Sequence, residues 1–304
     1  MKVSNLKAHL ALLLVNVLFG ASYILAKGVM PDYLTPTVFI LFRVVGATFL
    51  FWLILIFTKI ETIKRKDLPL FIACGFFGVA ANQLFFFHGL NLSSSLNSGI
   101  IMAMNPIMVV ILSFFILKER ITFLRIIGIA IGALGMILLT FKGAASNGDS
   151  LVGDLFLILN AFCYAFYLVI AKPLMQKYNL MTVITWVFTF GLVFVLLFPA
   201  TIPEFMNTDF SSFTTSVILK ISYVVIGVTF LTYLLTMYSL KYLSPTVSSS
   251  YIYTQPIVVI LFAFLFAALH WSDDYTGTIT AQKILYMLLI FAGVYMASIK
   301  RKTN

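Results

Sequence analysis

The chain repeats itself at an offset of 150 residues. Leu90, Ser94, Ser98, Pro106, Ile107 and Val109 return as Leu240, Ser244, Ser248, Pro256, Ile257 and Val259, each pair inside or beside a long apolar run. One helical design is therefore written twice. If each copy crosses a bilayer an odd number of times, the second enters it upside down, which is the architecture of an alternating-access carrier.

Composition places these runs in lipid. With 62% hydrophobic and 10% charged residues, the chain lacks the polar surface of a soluble domain, which is about 25% charged. Stretches long enough to cross a hydrocarbon core, about 20 residues, fall near 8–27, 36–58, 68–90, 96–117, 123–141, 152–172, 182–200, 218–240, 246–269 and 283–299. These ten spans predict an all-α integral membrane protein built as two inverted five-helix repeats, residues 1–143 and 150–304. The longest stretch clear of helix is read as 201–217. Lys2 and Lys7 before an apolar run resemble a secretory signal, but the run is long and its loss would destroy the repeat, so it is read as span 1. Cys74 and Cys163 fall inside apolar spans with no ligand-spaced partner and read as packing residues.

Basic residues set the orientation. Lys2, Lys7, Lys59, Lys64, Arg65, Lys66, Lys118, Arg120, Arg125, Lys172, Lys177, Lys241, Lys300, Arg301 and Lys302 fall on one side, and only Lys27, Lys142, Lys220 and Lys283 on the other. Both termini are expected in the cytoplasm. The net charge of +10 then reflects topology and anionic lipid heads, and predicts no nucleic-acid partner.

Helical spacing separates the polar faces. In span 1, Asn16, Gly20, Tyr23 and Lys27 recur at i, i+4, i+7 and i+11; in span 6, Asn160, Tyr164 and Tyr167 follow the same rhythm. Span 4 offers Ser98, Met102 and Asn105, and span 9 offers Ser248, Ile252 and Gln255 with Tyr251 and Thr254 beside them. Span 3 contributes Asn82, its neighbour Gln83 and Phe86, matched in span 8 by Thr232 and Thr236. An amide facing hydrocarbon without a partner costs several kcal/mol, so these stripes are expected to face one another. Any one residue is as well explained as glue between helices; six helices with polar stripes at matching depth favour a cavity. The substrate-binding set is read as Asn16, Tyr23, Asn82, Gln83, Ser98, Met102, Asn105, Asn160, Tyr164, Thr232, Tyr251 and Gln255. Tyr233, with the other tyrosines, adds an aromatic face with a polar tip.

Pro106 and Pro256 stand in mid-span, where each removes a backbone hydrogen bond; they are read as hinges or fixed bends. Gly128 and Gly132, and Gly293 with Ala297, are small-residue pairs that favour close packing within the chain over a dimer interface. Arg43, the one charge well inside a span, is within snorkelling reach of the outer surface and is read as structural. His88 reads as an interfacial side chain, and Glu119 as the local partner of a cytoplasmic arginine.

Phe19-Gly20-Ala21-Ser22 with Lys27, Arg43, Asn105-Pro106 followed by Leu117-Lys118-Glu119-Arg120, and Gly153-Asp154 together resemble the EamA-type transporters of the drug/metabolite transporter superfamily. The resemblance covers nearly the whole chain and implies a ten-helix bundle whose central cavity is lined chiefly by helices 1, 3, 4, 6, 8 and 9. The second half departs from it, with Ala268-Leu269-His270 where Glu119 has its counterpart. Members carry amino acids, nucleotide sugars, phosphorylated sugars and other metabolites.

No carboxylate pair, Ser/His/Asp set, phosphate-binding glycine loop or ligand-spaced histidines appear, so no enzyme, cofactor or metal is predicted. The expected function is alternating-access export of small neutral or zwitterionic metabolites, amino acids by analogy, through facilitated diffusion or exchange across a prokaryotic cytoplasmic membrane. The alternatives are a broad hydrophobic-drug exporter and, in another class, a lipid scramblase or lipid-handling membrane enzyme. The expected partners are the small-molecule substrate and the lipid bilayer, in a monomer or weak dimer.

Overall fold

The computed structural model describes residues 3–58, 61–118, 122–143, 150–269, 277 and 279–298. The expectations for Glu119 and His270 concern positions outside them. Among the described residues the long helical segments follow in order: α1 (Val3–Lys27), α2 (Pro36–Ile56), α3 (Arg65–Leu92), α4 (Ser95–Leu117), α5 (Phe123–Gly143), α6 (Leu151–Lys177), α7 (Leu180–Leu197), α8 (Thr215–Tyr242), α9 (Pro245–Ala268) and α10 (Ala281–Ser298). Eight are long and apolar enough to cross a membrane; the apolar stretches of α5 and α10, Ile126–Leu139 and Ala281–Gly293, are shorter. The stretch read as loop at 201–217 is itself partly ordered, with a short helix at Thr201–Met206 and a 3₁₀ turn at Phe210–Ser212.

Local chemistry starts these helices where the sequence repeats. The Ser94 hydroxyl accepts from the Asn97 N–H (3.1 Å) at the start of α4, and its repeat partner Ser244 accepts from the Val247 N–H (3.3 Å) at the start of α9. Each satisfies one of the orphan donors of a first turn. Thr35 opens α2 and Asn179 opens α7 in the same way, accepting from Val38 and Met181.

Counterpart helices lie antiparallel. The start of α2 meets the segment after α7, through the Thr35 hydroxyl and the Glu204 carboxylate, and the segment after α2 meets the start of α7, where Glu61 accepts from the Asn179 N–H (2.7 Å). Gly132 and Gly135 of α5 pack on Gly293 and Ile290 of α10, also head to tail. In α4 and α9, Ser95–Met102 meets Thr254–Ala268 while Asn105–Leu117 meets Pro245–Ser250. The other contacts exchange under the same operation, α1 packing on α8 and α9 as α6 packs on α3 and α4. One half is thus the other turned over.

Lipid takes the outer face. Phe57, Leu197 and Leu285 are 82%, 70% and 63% exposed, a disposition suited to hydrocarbon and not to water. Since lipid is as apolar as leucine, helix contacts rest on close packing and hydrogen bonds. Gly20 of α1 shows this, because a Cβ there would lie 2.4 Å from Val258 of α9.

Three departures from regular helix bear on function. The prolines do not kink continuous helices, as the sequence suggested; the chain breaks just before them. In α4 the helix stops at Met102, turns at Ala103 and Met104, and restarts at Asn105 with Pro106 in its first turn. In α9 a 3₁₀ turn at Tyr251–Tyr253 precedes Thr254 and Pro256. Proline fits a first helical turn because its missing N–H is an orphan there anyway. The third departure, absent from the sequence reading, is a π-helical stretch in each half, Phe76–Ala80 in α3 and Tyr223–Leu231 in α8. They overlap at the 150-residue offset and mark the position where such bulges often serve a site.

Candidate functional site

Where the α4 and α9 breaks approach the π-helical stretches, the two halves line a cavity between them. Met102 and Ile252, each four residues before its proline, line it together with Phe19, Ser22, Tyr23, Arg43, Asn82, Gln83, Phe86, Phe87, Asn160, Tyr164, Val228, Tyr233 and Gln255. Both halves contribute, so the cavity lies at the repeat interface.

The polar groups are held by a short network. The Tyr23 hydroxyl donates to Gln255 Oε1 (2.8 Å), Gln255 Nε2 donates to Asn16 Oδ1 (2.9 Å), and Asn16 Nδ2 donates to the Leu12 carbonyl (2.7 Å). This chain ties α9 to α1. Across the cavity, Asn160 Nδ2 donates to the backbone carbonyl of Asn82 (2.7 Å), and the Tyr233 hydroxyl to the carbonyl of Gly78 (2.7 Å) in the α3 π-helical stretch. Gly78 has to be glycine, since a Cβ there would sit 2.3 Å from the Tyr167 ring. Gln83 differs from its neighbours. It is 2% exposed and, although Tyr233 stands near it, neither amide atom has a hydrogen-bond partner by geometry. An unmet buried amide is destabilising by about 1–3 kcal/mol, and here it lines the cavity.

Of the twelve residues read as substrate-binding, the structure brings seven to this cavity: Tyr23, Asn82, Gln83, Met102, Asn160, Tyr164 and Gln255. Asn16 stands behind Gln255. The other four are engaged elsewhere. Ser98 donates to the Ser94 carbonyl (2.8 Å), Thr232 to the Val228 carbonyl of its own helix, and Asn105 Nδ2 to the Ala161 carbonyl (2.8 Å), bridging α4 and α6. The Tyr251 hydroxyl pairs with His9 Nδ1 (2.6 Å). His88 likewise lies off the cavity, with Nε2 3.3 Å from the Thr37 hydroxyl.

Arg43 departs from the snorkelling geometry expected of it. It does not snorkel; it is 3% exposed and turned inward, and it adds α2 to the expected set of lining helices. Its Nε donates to the Thr229 hydroxyl (2.8 Å), and its Cζ lies 4.4 Å from the centre of the Phe87 ring. Thr229 belongs to the α8 π-helical stretch and donates in turn to the Val224 carbonyl five residues back (2.8 Å). Among the described lining residues Arg43 is the one formal charge.

A separate polar cluster stands at the α3–α4 turn. Asp154, part of the Gly153-Asp154 string, is fully buried there and accepts from Ser93 (2.9 Å) and Asn97 Nδ2 (2.6 Å), while Lys283 Nζ reaches Ser94 Oγ (3.3 Å). Among the described residues, no cluster of three or more His, Cys, Asp or Glu side chains is placed to hold a metal ion.

The model of the EamA-like transporter family matches residues 6–141 and again 151–299. The uncharacterized transporter YyaM of Bacillus subtilis (strain 168) is 29% identical over 63% of this chain and 64% of its own length. An uncharacterized transporter of Archaeoglobus fulgidus is 33% identical over 49% of this chain and 52% of its own. The matches thus span less than two thirds of these two relatives. A WAT1-related protein of Arabidopsis thaliana is 21% identical over 89% of this chain and 80% of its own length. A solved crystal structure superposes with a TM-score of 0.62 at 17% identity, covering 97% of this chain and 96% of that one, and shares the fold.

Proposed function

The chain belongs to the EamA-like transporter family, and from that premise we propose that it moves small metabolites across a prokaryotic cytoplasmic membrane by alternating access through the cavity between its halves. The observation that carries this reading is the placement of one polar, aromatic-lined cavity at the interface of two inverted halves, beside two broken helices. Solute sites of inverted-repeat carriers occupy that place. Ten crossings in two units, 1–143 and 150–304, with both termini in the cytoplasm, fit the lysine distribution. The seven lining residues of the sequence-derived set hold the solute in this reading, and Asn16 supports Gln255.

The solute class proposed is neutral or zwitterionic, with amino acids or related metabolites moving outward. Aromatic faces and amides suit a small body with both apolar and hydrogen-bonding surface. Within the described cavity lining there is no Asp or Glu, which favours facilitated diffusion or exchange over proton coupling. Pro106 and Pro256, at the helix breaks, act as hinges for opening one side and closing the other.

Counterflow in proteoliposomes tests the reading against amino acids, nucleosides, sugar phosphates and cationic dyes. Amino acids are expected to exchange, with no accumulation driven by an imposed pH gradient. Pro106→Ala is expected to slow turnover more than it weakens binding. Exchange of dyes alone would replace this reading with a hydrophobic-drug exporter, and exchange of none of the four classes would contradict transport of such solutes.

A further inference from the structure

Arg43 presents a cation to the cavity, and none of the described lining residues is an acid that could meet it. Its Nε is committed to Thr229 and one face of the guanidinium to Phe87, yet among the described residues the two terminal nitrogens have no hydrogen-bond partner. The ion pair of Lys177 with Asp67 lies elsewhere. Burial of a lone guanidinium in a low-dielectric site is strongly unfavourable unless something compensates its charge. The hydrogen bond to Thr229 and the contact with the Phe87 ring fix the fork in place, so its free edge is oriented before any solute arrives. A planar two-donor edge matches a carboxylate.

We propose that Arg43 is the anion-recognising residue of the cavity, and that the solute carries one carboxylate joined to an apolar or aromatic body. The inference rests on the transport reading but revises its solute class: a wholly neutral solute would leave the guanidinium uncompensated, so the group met is the carboxylate of a zwitterion or of a monoanion. One cation balances one negative charge, which sets a carboxylate apart from a phosphate monoester that carries nearly two at neutral pH. Next to the carboxylate, the unmet amide of Gln83 supplies further hydrogen bonds. The rings of Phe86, Phe87 and Tyr164 receive the body.

Equilibrium binding to the purified protein in lipid nanodiscs tests this without requiring movement. The probes are 3-phenylpropionate, the near-isosteric neutral 3-phenylpropionamide, and phenyl phosphate. The wild type is expected to bind the carboxylate at least about tenfold more tightly than the amide, and more tightly than the phosphate. Arg43→Gln is expected to bring the acid-to-amide ratio close to one, while Arg43→Lys keeps a reduced preference. If Arg43→Gln is not monodisperse, the wild-type ratio and the Arg43→Lys variant carry the test alone. Equal affinity for acid and amide in the wild type, no binding of the acid, a preference for the phosphate, or a full acid preference in Arg43→Gln would each overturn the assignment. Carboxylate preference without counterflow would leave the anion site standing and remove the transport reading; counterflow indifferent to the carboxylate would do the reverse.

Discussion

Gln83→Leu is expected to raise the thermal stability of the protein while reducing exchange by at least about tenfold, and Gln255→Leu to lower both. The two glutamines line the same cavity but stand in opposite states. Gln255 accepts from Tyr23 and donates to Asn16, so leucine leaves a hydroxyl and an amide oxygen without partners at the α1–α9 contact. Each orphaned group is destabilising by about 1–3 kcal/mol. Gln83 has no geometric hydrogen-bond partner among the described residues, with only the Tyr233 hydroxyl near it, so an apolar side chain of similar size relieves a penalty of that same order. A residue kept at the expense of stability has a use that folding does not explain. Thermal unfolding by intrinsic fluorescence and counterflow on the same preparations separate the cases. A loss of stability in Gln83→Leu with transport intact would show that its amide is structural.

The second large effect is on folding. In Gly293→Ala the new Cβ would lie 2.3 Å from the Gly132 nitrogen, 2.6 Å from the Gly128 carbonyl oxygen and 2.7 Å from the Gly132 Cα. All three are backbone atoms, so no side chain can swing aside, and α5 and α10 must separate along their contact. Overpacking of this kind destabilises by about 1–3 kcal/mol, occasionally more. Gly227→Ala is the matched control. Its Cβ would meet only the Tyr223 ring at an ordinary 3.6 Å, and helical alanine is favoured over glycine by about 0.5–1 kcal/mol. Gly293→Ala should therefore show a clearly lower melting temperature and Gly227→Ala an unchanged or slightly higher one. Similar values for both would mean that α5 and α10 are not in contact through these glycines.

How far the sequence reached depended on what each signal encodes. The 150-residue echo carried caps and breaks as well as composition: Ser94 and Ser244 start their helices, and Pro106 and Pro256 follow equivalent interruptions. Helical spacing also assigned the inward faces of Tyr23, Asn82, Asn160 and Gln255. It could not say what an inward face meets. Asn105 and Tyr251 lie on the same faces, but a backbone carbonyl of α6 takes the Asn105 amide N–H and the ring of His9 pairs with the Tyr251 hydroxyl. Thr232 was ambiguous for another reason, since a threonine hydroxyl can be satisfied within its own turn. Arg43 was visible as a lone charge in an apolar span; its direction was not, because snorkelling and inward burial fit the same depth. The π-helical stretches were hidden, for neither Phe76–Ala80 nor Tyr223–Leu231 contains a proline, and each departs from a continuous apolar helix by register alone.

Alternating access through one cavity is the claim on which the rest depends, and two-sided accessibility measures it directly. In a background with Cys74 and Cys163 replaced by alanine, single cysteines are placed at Tyr164 in the cavity, at Lys64 and at Ser211. A membrane-impermeant maleimide is then applied to right-side-out and to inside-out vesicles. Lys64→Cys is expected to react only from the cytoplasmic face and Ser211→Cys only from the outer face, which fixes the orientation. Tyr164→Cys is expected to react from both faces, with each rate falling when a transported solute fills the cavity. Reaction of Tyr164→Cys from one face only, under every condition that supports exchange, would contradict a single alternately opening cavity.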